Sequence, residues 1–192
     1  MEADDKEKYM LIAELWGVTM EYKHLNTDEI THNILFLDFD GVCNSYNCGS
    51  YVTSDSKTYG IDEKIIPRLK EICVKGNAKI VISSNWRRYG KNDSITIGKE
   101  IFKNPLPKLE KFIGEYIIGT LTKERYLNKS QALEIWFEDN PDFTGKYAIL
   151  DDDPREQIQN NPKLRDNFWI TNAEYGLTDD IKTEIINHFK NL

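Results

Sequence analysis

The sequence has few of the residues that bind soft metals or form disulfide bridges. Its 192 residues include three cysteines, Cys43, Cys48 and Cys73, and three histidines. The cysteines are odd in number, form no Cys-x-x-Cys pair and have no histidine nearby, which argues against a zinc site and against a disulfide framework. This cysteine usage fits a reducing compartment such as the cytosol.

The sequence also lacks a long apolar run and an excess of positive charge. No segment approaches the length of a membrane-spanning helix, and the charged start Met1–Asp5 is unlike a signal peptide. We therefore expect a cytoplasmic protein with no membrane partner. Acidic residues number 32 against 25 basic ones, for a formal net charge of -7. This balance argues against a protein that coats nucleic acid, because phosphates are neutralised by basic surfaces. The sequence indicates no oligomeric state.

Apolar runs that alternate with helical patterns predict an α/β fold. Five short runs predict strands, at 33–38, 79–85, 116–120, 147–150 and 168–170. Four periodic patterns predict helices, at 61–75, 106–114, 130–138 and 179–190. Because strand–helix–strand units cross over with one hand, successive strands should be parallel. We expect a three-layer, Rossmann-like parallel sheet flanked by helices, in a single domain over residues 1–192.

Three segments are expected to lie outside this layered core. Residues 1–30 predict a helical extension, with its apolar pattern at 6–22. The turn-rich residues 43–60 predict a flap over the edge of the sheet. Residues 88–115 predict an insertion made of a long loop and one helix.

Polar side chains lie at the ends of the first, second and fourth predicted strands, and a lysine lies at the start of the helix that precedes the fourth strand. They supply carboxylates, hydroxyls and one ammonium: Asp38, Asp40, Ser83, Ser84, Lys129, Asp151 and Asp152. The carboxyl ends of parallel strands meet at one edge, where ligands bind. Taken alone, the Asp-x-Asp-Gly run after the first strand is equally compatible with an ordinary turn, so the other strand ends decide its meaning.

These side chains together predict phosphoryl transfer. Carboxylate oxygens without histidine or cysteine suit Mg²⁺, and a hydroxyl and an ammonium could hold phosphoryl oxygens. One aspartate could then attack phosphorus while another protonates the leaving oxygen. A shared metal requires the Asp38 and Asp151 carboxylates to lie within roughly 8 Å of each other, since Mg–O contacts are short.

Four motifs resemble those of the haloacid dehalogenase (HAD) superfamily of aspartate-nucleophile phosphohydrolases. Ile34–Val42 resembles its first motif, Val81–Arg87 its serine/threonine motif, Lys129 its basic motif and Ile149–Asp153 its acidic metal motif. The motifs occur in the order that the superfamily has. The Ser-Ser-x-Trp-Arg run is most similar to small HAD domains associated with RNA-repair proteins.

The resemblance implies a role for each acidic or basic residue. Asp38 would be the nucleophile and a Mg²⁺ ligand, and Asp40 would be the general acid/base that also offers its backbone carbonyl to the metal. Asp151 and Asp152 would complete the metal site, and Lys129 would hold phosphoryl oxygens. Because Asp40 must be protonated when the leaving group departs, we expect its pKa to lie above that of the metal-bound nucleophile.

The resemblance also implies a set of phosphate-binding residues. Ser84 is the first choice for the phosphate-binding hydroxyl, because the superfamily's hydroxyl is usually followed by asparagine, glycine or alanine and Asn85 follows Ser84, and Ser83 is the second. Phe39 and Asn85 are further phosphate-binding candidates. Arg87 is a candidate substrate contact, with an ordinary surface arginine as the alternative.

The intervals after the first two motifs are too short for a large cap domain, so the resemblance implies an open, capless or minimally capped site. Such a site suits a phosphate on a macromolecule, for example a nucleic-acid end. Small phosphorylated metabolites or nucleotides stay open as substrates, as does a non-catalytic, regulatory HAD-fold domain. A phospho-acceptor receiver domain is disfavoured, since its lysine should follow the last acidic strand whereas Lys129 precedes Asp151.

Overall fold

The computed structural model describes Leu25 and residues 28–48, 60–89, 94–97, 100–103, 105–124, 126–153 and 158–191. The expected helix at 6–22 and residues 49–59 of the expected flap lie outside these ranges, so both stay predictions. Among the helices that are described, none combines the length and the apolar character needed to cross a membrane.

A parallel sheet of five strands forms the centre of the fold. Its strands, in the order in which they lie side by side, are β5 (Ile117–Thr120), β2 (Ala78–Ile82), β1 (Asn33–Leu37), β6 (Tyr147–Asp151) and β7 (Phe168–Ile170). Each neighbouring pair is parallel. The predicted parallel sheet is therefore confirmed, and the strand with the first acidic motif lies at its centre.

Helices cover both faces of this sheet. The helices α1 (Ile65–Lys75), α2 (Leu106–Ile113) and α4 (Asp179–Lys190) contribute to one apolar cluster, and α3 (Lys129–Asp139) contributes to the other. Parallel sheets need such cover, because their strands are apolar on both faces. The three-layer α/β architecture expected from the sequence is confirmed.

The side chains of β1 alternate between the two clusters. Leu35 and Leu37 pack with α1, whereas Ile34 and Phe36 pack with α3. The rings of Phe36 and Trp136 meet edge to face, with centroids 4.9 Å apart. Successive side chains of a strand point to opposite faces. Asp38, which follows Leu37 where the strand ends, therefore lies on the α3 side of the sheet.

Helix boundaries follow local signals in the sequence. The side chains of Asn128 and Gln131 form a capping box at the start of α3, which satisfies backbone N–H groups that the first turn leaves free. The Thr178 hydroxyl accepts a hydrogen bond from the N–H of Ile181 and caps α4. Pro67 lies in the first turn of α1, where its missing N–H breaks no helical hydrogen bond.

The insertion between β2 and β5 contains a hairpin that the sequence interpretation missed. β3 (Ser94–Ile97) and β4 (Glu100–Lys103) pair antiparallel in a separate two-stranded sheet. Their alternating apolar residues are a strand signal, but the surrounding glycines and asparagine favoured a loop. The expected long loop is thus partly a hairpin, while the expected helix near 106–114 is present as α2.

Candidate functional site

Three carboxylates converge where β1 and β6 end. Carboxylate oxygens of Asp38, Asp151 and Asp152 all lie within 4.8 Å of one another. The neighbouring strands bring them together: the N–H of Asp38 donates to the carbonyl of Leu150 at 3.1 Å, which aligns the end of β1 with the end of β6. Asp38 and Asp151 are therefore well inside the roughly 8 Å limit that a shared metal ion sets.

Lys129 lies between two of these carboxylates. Its Nζ is 3.2 Å from Asp38 Oδ1 and also forms an ion pair with Asp151 Oδ2, and all three side chains are buried. Lys129 is the first residue of α3, so the capping box of that helix fixes the backbone from which its side chain reaches the two carboxylates. Buried charges are stable only when they are paired, and this single ammonium compensates part of the acidic cluster.

Gly41 allows the Asp152 carboxylate to reach the cluster. Gly41 has a left-handed backbone with φ +67, and a Cβ at this position would collide with the carboxylate of Asp152. The Thr171 hydroxyl, one residue beyond β7, donates to the Gly41 carbonyl at 2.8 Å. The loop after β1 is thereby fastened to the ends of both β6 and β7.

The acidic cluster has the properties of a site for a divalent cation. Burial, and after it the neighbouring Asp38 charge, raises the pKa of Asp151 to about 7 and that of Asp152 to about 6. Close carboxylates repel one another unless a cation or a proton relieves them. Hard oxygen donors with room for water suit Mg²⁺, so the residues present fit the metal that the sequence implies.

Asp40 is held by two side chains that the sequence did not single out as its partners. Trp86 Nε1 donates to Asp40 Oδ2 at 2.9 Å, and Asn44 Nδ2 donates to Asp40 Oδ1 at 3.0 Å. Burial raises the pKa of Asp40, and the hydrogen bond from Asn44 partly offsets this increase. A buried tryptophan N–H needs an acceptor, which is the one signal that could have suggested this contact.

The two adjacent serines after β2 differ in their surroundings. Leu37 of β1 lies opposite Ile82 of β2, so Ser83 follows at the same level as Asp38. Ser83 Oγ is one of two buried side-chain polar atoms, among the described residues, that have no hydrogen-bond partner. Ser84 Oγ, in contrast, accepts a hydrogen bond from the N–H of Trp86 at 3.4 Å.

Arg87 supports, from inside the protein, the segment Ser83–Ser84 after β2, which we call the serine turn. Its side chain is buried, and its NH1 donates to the carbonyls of Ser83 and Ser84 at 2.7 and 2.8 Å. Its Nε donates to the carbonyl of Thr122, after β5, at 2.9 Å. The guanidinium thus joins two loops of the site. It does not face solvent, which the surface-arginine alternative would require.

The two remaining phosphate-binding candidates differ in exposure. Asn85 is exposed at the start of the 3₁₀ turn Asn85–Tyr89 that follows the serines. The Phe39 side chain is fully buried in the core, so a phosphate could be contacted only by its backbone.

The sheet and its acidic edge define a Rossmann-like α/β protein with a candidate phosphoryl-transfer site. Residues 34–181 match a family described as the HAD domain in Swiss Army Knife RNA repair proteins. The match covers more than half of the chain and includes all four motifs, so the chain belongs to this HAD domain family, within a superfamily of phosphatases and related hydrolases. Neither a comparison with curated proteins nor one with solved structures found a significant match.

Replacing Gly41 by alanine should weaken the binding of a divalent cation. A Cβ at this position would displace the Asp152 carboxylate, and the left-handed backbone would add a penalty of about 1–2 kcal/mol. Calorimetric titration with Mg²⁺ and urea denaturation measure the two effects. Gly119→Ala is the matched control, because a Cβ there meets nothing within 4 Å. Wild-type Mg²⁺ affinity in Gly41→Ala would contradict the assignment of Asp152.

Proposed function

We propose that the protein is a Mg²⁺-dependent phosphomonoesterase that acts through an aspartyl-phosphate on Asp38. The carboxylate cluster of Asp38, Asp151 and Asp152 beside Lys129 carries this proposal. It lies at the carboxyl edge of the parallel sheet, where ligands of such folds bind. Membership of the HAD domain family supports the same reaction class.

The metal would be held by the three clustered carboxylates and by the backbone carbonyl of Asp40. When bound, Mg²⁺ would neutralise charge on the phosphoryl oxygens. Lys129 would contribute a second positive charge, since its Nζ already lies 3.2 Å from the nucleophile's Oδ1. Phosphoryl transfer depends mainly on positioning and charge neutralisation of this kind.

The reaction would proceed in two displacements. In the first, an Asp38 carboxylate oxygen attacks phosphorus, the bond from phosphorus to the leaving oxygen breaks, and that oxygen takes the proton of Asp40. In the second, Asp40 accepts a proton from water, the water oxygen attacks phosphorus, and the bond to Asp38 breaks. Inorganic phosphate and both free carboxyl groups result. The raised pKa of Asp40 supports its role, because the group must carry a proton in the first step.

We propose Ser83 rather than Ser84 as the phosphate-binding hydroxyl. The resemblance to the superfamily favoured Ser84, because Asn85 follows it. The pairing of β1 with β2 favours Ser83, which lies level with Asp38, and its buried Oγ has no partner within the described structure. A buried hydroxyl without a partner is costly, and a phosphoryl oxygen would relieve that cost.

Loss of the nucleophile should abolish hydrolysis. Purified protein should hydrolyse p-nitrophenyl phosphate in Mg²⁺, lose activity in EDTA and regain it when Mg²⁺ is restored. Asp38→Asn should lower kcat by about a thousandfold or more, because the remaining amide is a poor nucleophile. Asp166→Asn, at an exposed aspartate outside the site, is the control and should keep wild-type activity. Full activity in Asp38→Ala would contradict the mechanism.

The two serines should respond differently to truncation. Ser83→Ala should lower kcat/KM by about a hundredfold, as expected for a lost donor to a charged oxygen. Ser84→Ala should cause a much smaller loss, since its hydroxyl contacts a backbone N–H. Inhibition by inorganic phosphate measures binding separately and should weaken in Ser83→Ala. The opposite order of effects would return the role to Ser84.

We propose a terminal phosphate on an RNA strand as the substrate class. The family description refers to RNA repair proteins, and no large cap domain interrupts the described ranges around the site, which would leave room for a polymer end. An RNA backbone is distinguished from DNA by its 2′-hydroxyl.

A substrate panel tests this class. With Mg²⁺, 3′- or 5′-phosphorylated RNA should give a higher kcat/KM than matched phosphorylated DNA, nucleotides, sugar phosphates or phosphopeptides. The same RNA without a terminal phosphate is the control and should release no phosphate. A preference for nucleotides or sugar phosphates would instead indicate a small-molecule phosphatase, and inertness toward the whole panel would favour the regulatory-domain alternative.

A further inference from the structure

The Asp40 carboxyl group is held at both of its oxygens by buried donors. Trp86 Nε1 is 2.9 Å from Oδ2, and Asn44 Nδ2 is 3.0 Å from Oδ1. Trp86 is 6% exposed and Asn44 is 1% exposed, so water does not readily replace either donor. Two donors on different oxygens fix the plane of a carboxyl group, because rotation about its bond to Cβ would break both hydrogen bonds.

The two donors come from different parts of the fold and are themselves held in place. Asn44 belongs to the loop after β1, where its Oδ1 accepts from the N–H of Gly41 at 2.9 Å. Trp86 lies in the 3₁₀ turn after β2, next to Arg87, whose guanidinium holds the carbonyls of Ser83 and Ser84 just before that turn. The Asp40 carboxyl group therefore has a fixed orientation relative to the serine turn.

The contact uses the single hydrogen-bond donor of the indole. An indole has one N–H and no acceptor, whereas a carboxyl group has about four lone-pair sites. Two sites on Asp40 accept from Trp86 and Asn44, and the others can carry the proton that leaves with the product. The contact with Trp86 thus orients Asp40 without occupying the position needed for proton transfer.

We infer that Trp86 is a positioning residue that orients Asp40 for protonation of the leaving oxygen. The inference rests on the proposed phosphomonoesterase function and adds a residue to its machinery. In the first displacement the Asp40 proton moves to the leaving oxygen as its bond to phosphorus breaks. A leaving group that is stable as an anion departs without this proton, whereas an alcohol does not. The loss of rate on removing the Trp86 N–H should therefore increase with the basicity of the leaving group.

A series of leaving groups tests this role. We compare kcat/KM for p-nitrophenyl, phenyl and ethyl phosphate in the wild type and in Trp86→Phe, which keeps a ring but has no N–H. The variant should lose about tenfold or more on phenyl and ethyl phosphate and less than about threefold on p-nitrophenyl phosphate, because a misoriented acid loses part of the roughly 10²–10⁴-fold that acid catalysis usually contributes. Because kcat/KM reports the steps up to the first phosphorus–oxygen cleavage, hydrolysis of the common intermediate does not affect the comparison.

Trp136→Phe is the matched control for a lost indole. Trp136 is 2% exposed and packs edge to face on Phe36, in the cluster on the α3 side of the sheet. This variant should lower the melting temperature and leave the ratio of kcat/KM values across the three substrates unchanged. A uniform loss on all three substrates in Trp86→Phe, or no loss, would show that Trp86 is only structural and would overturn the inference.

A second measurement does not depend on activity or on the folding of Trp86→Phe. The chain has four tryptophans, so a ¹H–¹⁵N spectrum should contain four indole signals. Asp40→Ala should shift one of them and speed its hydrogen exchange, because the indole N–H loses its acceptor. A spectrum in which no indole signal moves would overturn the inference. Wild-type protein inert toward every phosphate ester would instead overturn the proposed function itself, and the inference with it.

Discussion

Repulsion between buried carboxylates is the constraint around which this site is built. Asp38 directly follows β1 and Asp151 ends the adjacent β6, and both are buried beside Lys129. Removing charges from water costs several kcal/mol per ion unless close partners compensate. One ammonium between two carboxylates, with Asp152 close by, leaves the cluster with net negative charge. The cluster is therefore stable at neutral pH only if it keeps protons or binds a cation. The raised pKa values of Asp151 and Asp152 mean that, without a cation, these groups hold protons to a higher pH than usual.

The surrounding fold fixes the positions of these charges by contacts between distant segments. The capping box of α3 fixes the backbone where Lys129 begins the helix, and the Thr171 hydroxyl, just after the edge strand β7, holds the Gly41 carbonyl. Arg87 joins the turn after β2 to the loop after β5. Loops that are tied to one another in this way need little reorganisation when charge develops on a substrate, which is how preorganised sites stabilise transition states.

Local sequence patterns were sufficient for the sheet, the helices and the list of charged groups, because apolar periodicity and strand ends are local signals. They leave open the choice between Ser83 and Ser84, because that choice depends on the residue at which β2 ends. Adjacent side chains of a strand point to opposite faces, so a one-residue difference in the end of β2 exchanges Ser83 and Ser84. The contact of Trp86 with Asp40 joins residues 46 positions apart, and no local pattern identifies such a partner. The hairpin of β3 and β4 does have a local signal, but turn residues around its short strands obscured it.

The same charge balance couples metal binding to substrate binding under the proposed function. A phosphomonoester carries negative charge, and it would approach a cluster that already repels anions. Lys129 and the Ser83 hydroxyl alone would face three carboxylates, so the phosphate would bind weakly without a cation. A divalent ion would cancel the net negative charge of the three carboxylates and Lys129 and would strengthen phosphate binding, and by linkage a bound phosphate would strengthen metal binding by the same factor. Under this function, the residues around the acidic edge would therefore set substrate affinity through the metal, even where they do not touch the substrate.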